Sequence, residues 1–353
     1  MVKEYGYEYD ATLNTELWKS CKGKVTHQKL WDAICLRSGR DSLKVIAREY
    51  SPTTVYVPAL ACESMILPFK MYGHNIVYYK LKEDYSIDLL YMDSILEMGI
   101  FLYMDYFGVK AISDENLEKM RKKYPKLIFI EDRTHNLIWE RKSKFQPDYI
   151  MASLRKWINV PDGGLLWTKT ELKNVQYSED TTFSEIRKKA QCMRNEFLMT
   201  GNESLKMEYR RIFSTVSDII DKDKIPSRMS AYSYKLANSA DWEYIKAQRR
   251  KNAECLIDIL KKYDVQFIQD KTGFSDLYVA FVVNNRNFKQ SKLSQKGIFN
   301  TVIWPLNNEQ KRVCEVAKFT EEHMLAAPCD QRYSIKDIQF IGKEIANTII
   351  NDR

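Results

Sequence analysis

The sequence lacks the patterns that mark metal-stapled, secreted, membrane-spanning or repetitive proteins. Among its seven cysteines, at 21, 35, 62, 192, 255, 314 and 329, none are paired as CxxC and no histidine stands at ligand spacing from them. A zinc site and a disulfide framework are both argued against, no metal is expected, and a reducing compartment follows. No apolar run approaches the roughly 20 residues that cross a bilayer, and the opening "MVKEYGYEYDATLNTE" has no apolar signal core, so the expected location is cytoplasmic. Internal repeats, low-complexity stretches and linkers rich in Pro, Gly or Ser are missing too. Clustered positive charge is also lacking. The net charge of +8 over 353 residues is modest, and the basic runs "RKK" at 121 and 187 sit among acids. They read as solvated helix faces, not as a nucleic-acid footprint.

What is present is an ordinary globular balance, 44% hydrophobic and 29% charged, in a chain longer than one core usually organises. A large domain over 1–240 and a smaller C-terminal domain over 241–353 are expected. In the first half, apolar runs at 54–60, 75–81, 99–108, 126–132 and 148–153 read as buried strands. Helical patterns at 28–36, 42–49, 63–72 and 114–124 fall between them, the last with Ser113 as its cap. Such alternation implies an α/β fold with a mostly parallel sheet sandwiched by helices. The second half is charged and helical from 171 to 223, then carries one long helical stretch at 229–263 with a break near Asn238. Strands at 265–270, 276–283 and 300–306 and a closing helix at 335–350 complete a small α+β unit.

Chemistry concentrates where strands end. "MASLRKWINVPDGG", residues 151–164, puts Lys156 just after an apolar run and before a double-glycine turn. Ser153, three residues earlier, shares its face on a helical turn. "FIEDRTHNL" ends a second run in Glu131 and Asp132, where a carboxylate is desolvated unless a cation partners it. Taken alone, Asp132 equally suits a helix cap, His135 suits a core histidine, and Arg155 suits a solvated charge. "LRSGRDSL" at 36–43 places glycine before a helix, leaving the amides of Arg40 and Asp41 as donors at a positive helix end. A lysine for an aldehyde, a carboxylate for a pyridine nitrogen and a helix N-terminus for a phosphate are the three needs of pyridoxal 5'-phosphate.

In order and approximate spacing, "SGRDSL", "VYVPALACES", "DYFG", "FIEDRTHNL", "SLRKWINVPDGG" and "PSRMSAYSYKLANSADWEYIKAQRRKNAECL" resemble segments of the DegT/DnrJ/EryC1/StrS family, over roughly residues 36–262. That family comprises fold-type I pyridoxal phosphate enzymes, mostly sugar aminotransferases. The resemblance implies that Lys156 forms the Schiff base and shuttles protons, and that Asp132 partners the pyridine nitrogen. It places His135 near the phenolic oxygen and Thr134 under the ring. Gly39, Arg40 and Asp41 fall on the phosphate turn, and Ser153 on its hydroxyl. Arg40 stands where the family usually has threonine, and Cys62 where many members stack an aromatic ring. Pro226 and Ser227 occupy positions where an asparagine usually reaches the partner subunit. The implied protein is a homodimer that transfers an amino group from glutamate to a nucleotide-linked keto sugar in surface polysaccharide or related sugar biosynthesis. Family dehydratases replace the lysine by histidine, so Lys156 favours transamination. The alternative is a cofactor-binding partner or regulatory subunit without turnover. Trp304 and Arg332 are further candidates for a substrate pocket, with structural roles equally open.

Overall fold

The computed structural model describes residues 2–11, 32–141, 143–263, 265–268 and 276–350. Its largest sheet has seven strands, β2 (Ile34–Leu36), β3 (Thr54–Pro58), β4 (Asn75–Tyr79), β5 (Gly99–Met104), β6 (Leu127–Asp132), β7 (Tyr149–Ser153) and β8 (Gly164–Thr168), in the order β2-β8-β7-β6-β5-β3-β4. β4, β3, β5, β6 and β7 are parallel, and β8 runs antiparallel to both β7 and β2. All six residues of β5 are buried, as a parallel strand covered on both faces requires.

Helices α1 (Gly39–Glu49), α2 (Glu63–Met71), α3 (Leu89–Ile95) and α4 (Asp114–Lys123) connect these strands. The Ser113 hydroxyl caps α4 by accepting from the Asn116 amide at 3.2 Å, and acids in its first turn with bases in its last complement the helix dipole. The expected helix at 28–36 does not match. Residues 28–31 lie outside the described residues, and Ile34–Leu36 forms β2 because it pairs in register with Gly164–Leu166.

The charged middle of the chain folds into α5 (Thr182–Thr200), α6 (Glu203–Thr215) and α7 (Ser217–Lys222) around a core of its own that includes Phe183, Phe197 and Tyr209. The long helical stretch is two helices, α8 (Ala231–Ser239) and α9 (Trp242–Leu260). The break falls at Ala240–Asp241, just beyond Asn238, where the Asp241 carboxylate caps α9 by accepting from the Tyr244 amide at 2.9 Å.

The second half holds β9 (Gln266–Phe267), β10 (Tyr278–Val282), α10 (Arg286–Gln295), β11 (Ile298–Phe299), α11 (Asn308–Val313), α12 (Glu315–His323), β12 (Met324–Pro328) and α13 (Ile335–Ile350). Its sheet is ordered β12-β10-β9, while β11 pairs with β1 (Tyr5–Gly6) from the N-terminus. The expected strand at 300–306 reduces to one bridge, Thr301 to Ala326. The place beside β10 belongs to β12, whose five residues are all buried and which follows α12 without a turn signal. Residues 269 and 270 of the expected strand at 265–270 lie outside the described residues.

Candidate active site

In the ladder register Met104 of β5 pairs with Asp132 of β6, and Asp132 with Met151 of β7. These carboxyl-terminal strand ends border a cavity of about 70 Å³. In open α/β sheets this edge is where ligands bind. Gly39, Arg40, Cys62, Asp132, Thr134, Ser153 and Lys156 all line it, so residues more than 100 positions apart in the chain meet at one point. Asp41 and His135 do not line it.

Lys156 ends a short 3-10 turn, Leu154–Lys156, that follows β7. The turn is held on both sides. The Leu154 amide donates to the Gly163 carbonyl at 3.0 Å, and the Trp157 carbonyl accepts from Tyr9, Arg249 and Gln331 at 3.1, 3.1 and 2.8 Å. The Trp157 indole N–H donates to the Thr134 carbonyl at 2.8 Å, and the Ser153 amide to the Thr134 hydroxyl at 3.1 Å. The Lys156 amine itself engages in no hydrogen bond or ion pair among the described residues. Burial lowers its pKa from the ordinary lysine value. Cys62 and Asp132 pull it upward, while Arg155 and Arg40 push it further down.

Asp132 is buried, and its Oδ1 accepts from the Thr134 amide at 2.7 Å. Burial raises its pKa, opposed by Thr134 and by the Lys156 charge, so the carboxylate stands short of a cation. His135 lies behind it. Its Nδ1 accepts from the Phe107 amide at 3.3 Å, which places the ring proton on Nε2, and burial followed by the Lys156 charge holds its pKa well below the usual histidine value. Phe107 makes that contact from a left-handed backbone, φ 51°, a strained conformation for a bulky residue.

The phosphate-turn expectation needs one correction. Ser38 caps α1, so the Asp41 amide is not free: it donates to the Ser38 hydroxyl at 3.1 Å. The Asp41 carboxylate accepts from Arg37 Nε and Nη2 at 3.0 Å each, with Lys44 3.6 Å away. Gly39 and Arg40 remain as the first-turn donors of the helix. Gly164 explains how this helix end reaches the lysine loop. A Cβ there would lie 2.1 Å from the Ser38 carbonyl oxygen, so only glycine permits the approach.

Two side chains the sequence reading set aside or left open also line the cavity. Arg155 lies a quarter exposed, with one hydrogen bond, to Glu8 at 3.4 Å, among the described residues. Trp304 presents a buried indole N–H that has no hydrogen-bond partner among the described residues. Arg332 does not line it. Its guanidinium is bidentate on Asp330, at 2.8 and 2.9 Å, and covers the Tyr9 ring. Pro226 and Ser227 are bound within their own chain, their carbonyls accepting from Ser178 and Arg37 at 2.9 Å each. A far larger cleft, about 1370 Å³, opens on the other side of Asp132 between β5, β6 and the second-half elements. It carries mixed charges and none of the other expected site residues.

No family model matches the chain, and no curated protein does. Solved structures do. The chain superposes on Helicobacter pylori PseC, an aminotransferase involved in the biosynthesis of pseudoaminic acid, with a TM-score of 0.67 and 15% identity, covering 99% of this chain and 100% of that one. It matches Bacillus subtilis NtdA with bound PMP at a TM-score of 0.65 and 13% identity, over 90% and 73% of the two chains. DesI in the presence of its TDP-sugar product matches at 0.65 and 14%, over 91% and 81%. The chain therefore has the fold of the pyridoxal phosphate-dependent sugar aminotransferases. No helix among the described residues is long and apolar enough to cross a membrane.

Proposed function

We propose that this chain is a pyridoxal phosphate-dependent aminotransferase that takes an amino group from glutamate and delivers it to a keto sugar carried on a nucleotide, and that it works as a homodimer. One observation carries the reading. A free lysine amine and a cation-seeking buried carboxylate, Lys156 and Asp132, line one small cavity together with Ser153 and the N-terminus of α1. The donor set fits the cofactor. The cavity it lines measures about 70 Å³, below the 300–1,000 Å³ usual for sites that enclose small molecules. The sugar nucleotide rests on the likeness to DesI and PseC and on the sequence resemblance.

Bound, the cofactor supplies an aldehyde that links to primary amines and a ring that withdraws electrons from the adjoining carbon. Lys156 contributes the amine. Burial keeps it neutral more readily than an exposed lysine, and the clamped loop holds Nζ in place to attack and later to carry a proton. Asp132 would hold the pyridine nitrogen's proton, and Ser153 with the α1 amides would hold the phosphate. His135, neutral and bonded to Phe107, backs this end of the site without touching the cavity.

The test is direct. Borohydride reduction of the protein incubated with pyridoxal phosphate should fix the label on the peptide containing Lys156, and glutamate should change the visible absorption before fixation. Label on another lysine overturns the assignment. Label on Lys156 with no response to any amino donor leaves a binder without turnover, the reading favoured by the unusual Arg40 and Cys62.

A further inference from the structure

Two arginines line the cavity, and they are differently engaged. Arg40, on the first turn of α1, is tied to α7. Its Nη1 lies 3.0 Å from an Asp221 carboxylate oxygen and donates to the Ser217 carbonyl at 3.3 Å. Arg155, next to Lys156, makes one 3.4 Å contact to Glu8 from only one of its two terminal nitrogens. Glu8 belongs more closely to Arg187, whose Nη2 donates to it at 2.7 Å. A guanidinium carries five N–H donors in a planar fork, so most of the Arg155 capacity is unused among the described residues.

The surrounding charge makes this unfavourable for the chain alone. Burial, with the like charges of Arg187 and Arg40 set against Glu8, pulls the Arg155 pKa down to about 10. It remains cationic at neutral pH, crowded and short of counter-charge. A dianion in the cavity would relieve both conditions at once.

We propose that Arg155 is the principal cationic ligand for the phosphate of the bound cofactor, acting in place of Arg40. The proposal rests on the cofactor reading above. It places the phosphate between the α1 N-terminus, the Ser153 hydroxyl and the Arg155 fork, all from one chain. Arg40 instead braces α1 against α7.

The experiment compares pyridoxal phosphate with pyridoxal, which lacks only the phosphate, as ligands of the apoprotein, scored by absorbance titration and by borohydride-fixed mass at Lys156. Compared at a pH above the Lys156 midpoint of both proteins, where the amine is neutral, Arg155→Ala should weaken pyridoxal phosphate by roughly 10- to 100-fold, the range for losing a charge-assisted bond, and leave pyridoxal within about 2-fold. Arg155→Lys should recover part of the loss, because it restores charge but not the fork. Arg40→Ala should change the phosphate preference less than Arg155→Ala. Inorganic phosphate should compete with pyridoxal phosphate in the wild type and lose that effect in Arg155→Ala. An unchanged ratio in Arg155→Ala, equal weakening of both ligands, or a larger loss of preference in Arg40→Ala overturns the proposal while the Lys156 label stands. Wild-type protein that captures neither ligand at Lys156 overturns the cofactor reading, and this proposal with it.

Discussion

The indole N–H of Trp157 donates to the main-chain carbonyl of Thr134 at 2.8 Å, tying the turn that carries Lys156 to the loop that follows Asp132. Trp157 is fully buried and its ring lies under Arg249, 4.8 Å from the centroid. The spacing between amine and carboxylate therefore depends on a residue that touches neither.

Trp157→Phe keeps most of the packing and removes the donor, leaving a buried carbonyl unpaired. The expected loss is about 1–3 kcal/mol of stability, the usual penalty for such a group, read as a lower thermal midpoint. Cofactor capture at Lys156 should also slow, because the turn that carries the amine loses one of its ties. A variant that unfolds as the wild type does would remove this bond from the account.

The two glycines of the α1 junction should behave oppositely. At Gly164 an added Cβ meets the Ser38 carbonyl oxygen at 2.1 Å and its carbon at 2.2 Å, both backbone. Gly164→Ala should destabilise by at least about 3 kcal/mol or prevent folding, the upper end of overpacking penalties. At Gly39 the closest atom is the end of the Met151 side chain at 3.0 Å, which can move. Gly39→Ala should stay within about 1 kcal/mol, close to what a helix gains from alanine. Equal effects, measured by denaturant midpoint, would contradict this packing.

How much of this was legible depends on what each residue faces. Strands β3, β5 and β6 could be read because burial on both faces leaves a nearly unbroken apolar run. β12 could not, because "MLAAP" follows α12 with no glycine, proline or polar turn between them. Lys156 and Asp132 stood out because each ends an apolar run. Arg155 did not: its partner Glu8 lies 147 positions earlier, and no local pattern reports such a contact. For Arg332 the sequence left a substrate role and a structural role open, and the structure shows Asp330, two residues away, accepting from its Nε and Nη2.

His135 gives a pH prediction whose sign follows from burial. Its folded pKa lies well below 6.5, whereas the unfolded chain takes up a proton near 6.5. As pH falls through 6.5 the unfolded state binds the extra proton and the folded state does not, so stability is lost toward acid until the folded pKa is reached. His135→Asn keeps an acceptor at the Nδ1 position for the Phe107 amide and cannot titrate. It should lose less stability than the wild type between pH 7 and pH 5. An identical or steeper loss would place the acid sensitivity elsewhere.

The last prediction separates the charges around Lys156. Burial lowers its pKa, Cys62 and Asp132 oppose that, and Arg155 and Arg40 reinforce it. Removing Asp132 takes away a charge that stabilises the ammonium, so Asp132→Asn should lower the Lys156 pKa further. Removing Arg155 takes away a repelling charge, so Arg155→Ala should raise it. Cyanate, which carbamylates only neutral amines, can report this in the apoprotein by mass spectrometry of the Lys156 peptide across pH. The midpoint should move to lower pH in Asp132→Asn and to higher pH in Arg155→Ala, in each case with little change in the plateau rate. The two shifts must differ in sign because the two neighbours differ in charge. Shifts in the same direction would mean that solvent entry, which raises the pKa of any buried amine, governs Lys156 in place of its charged neighbours.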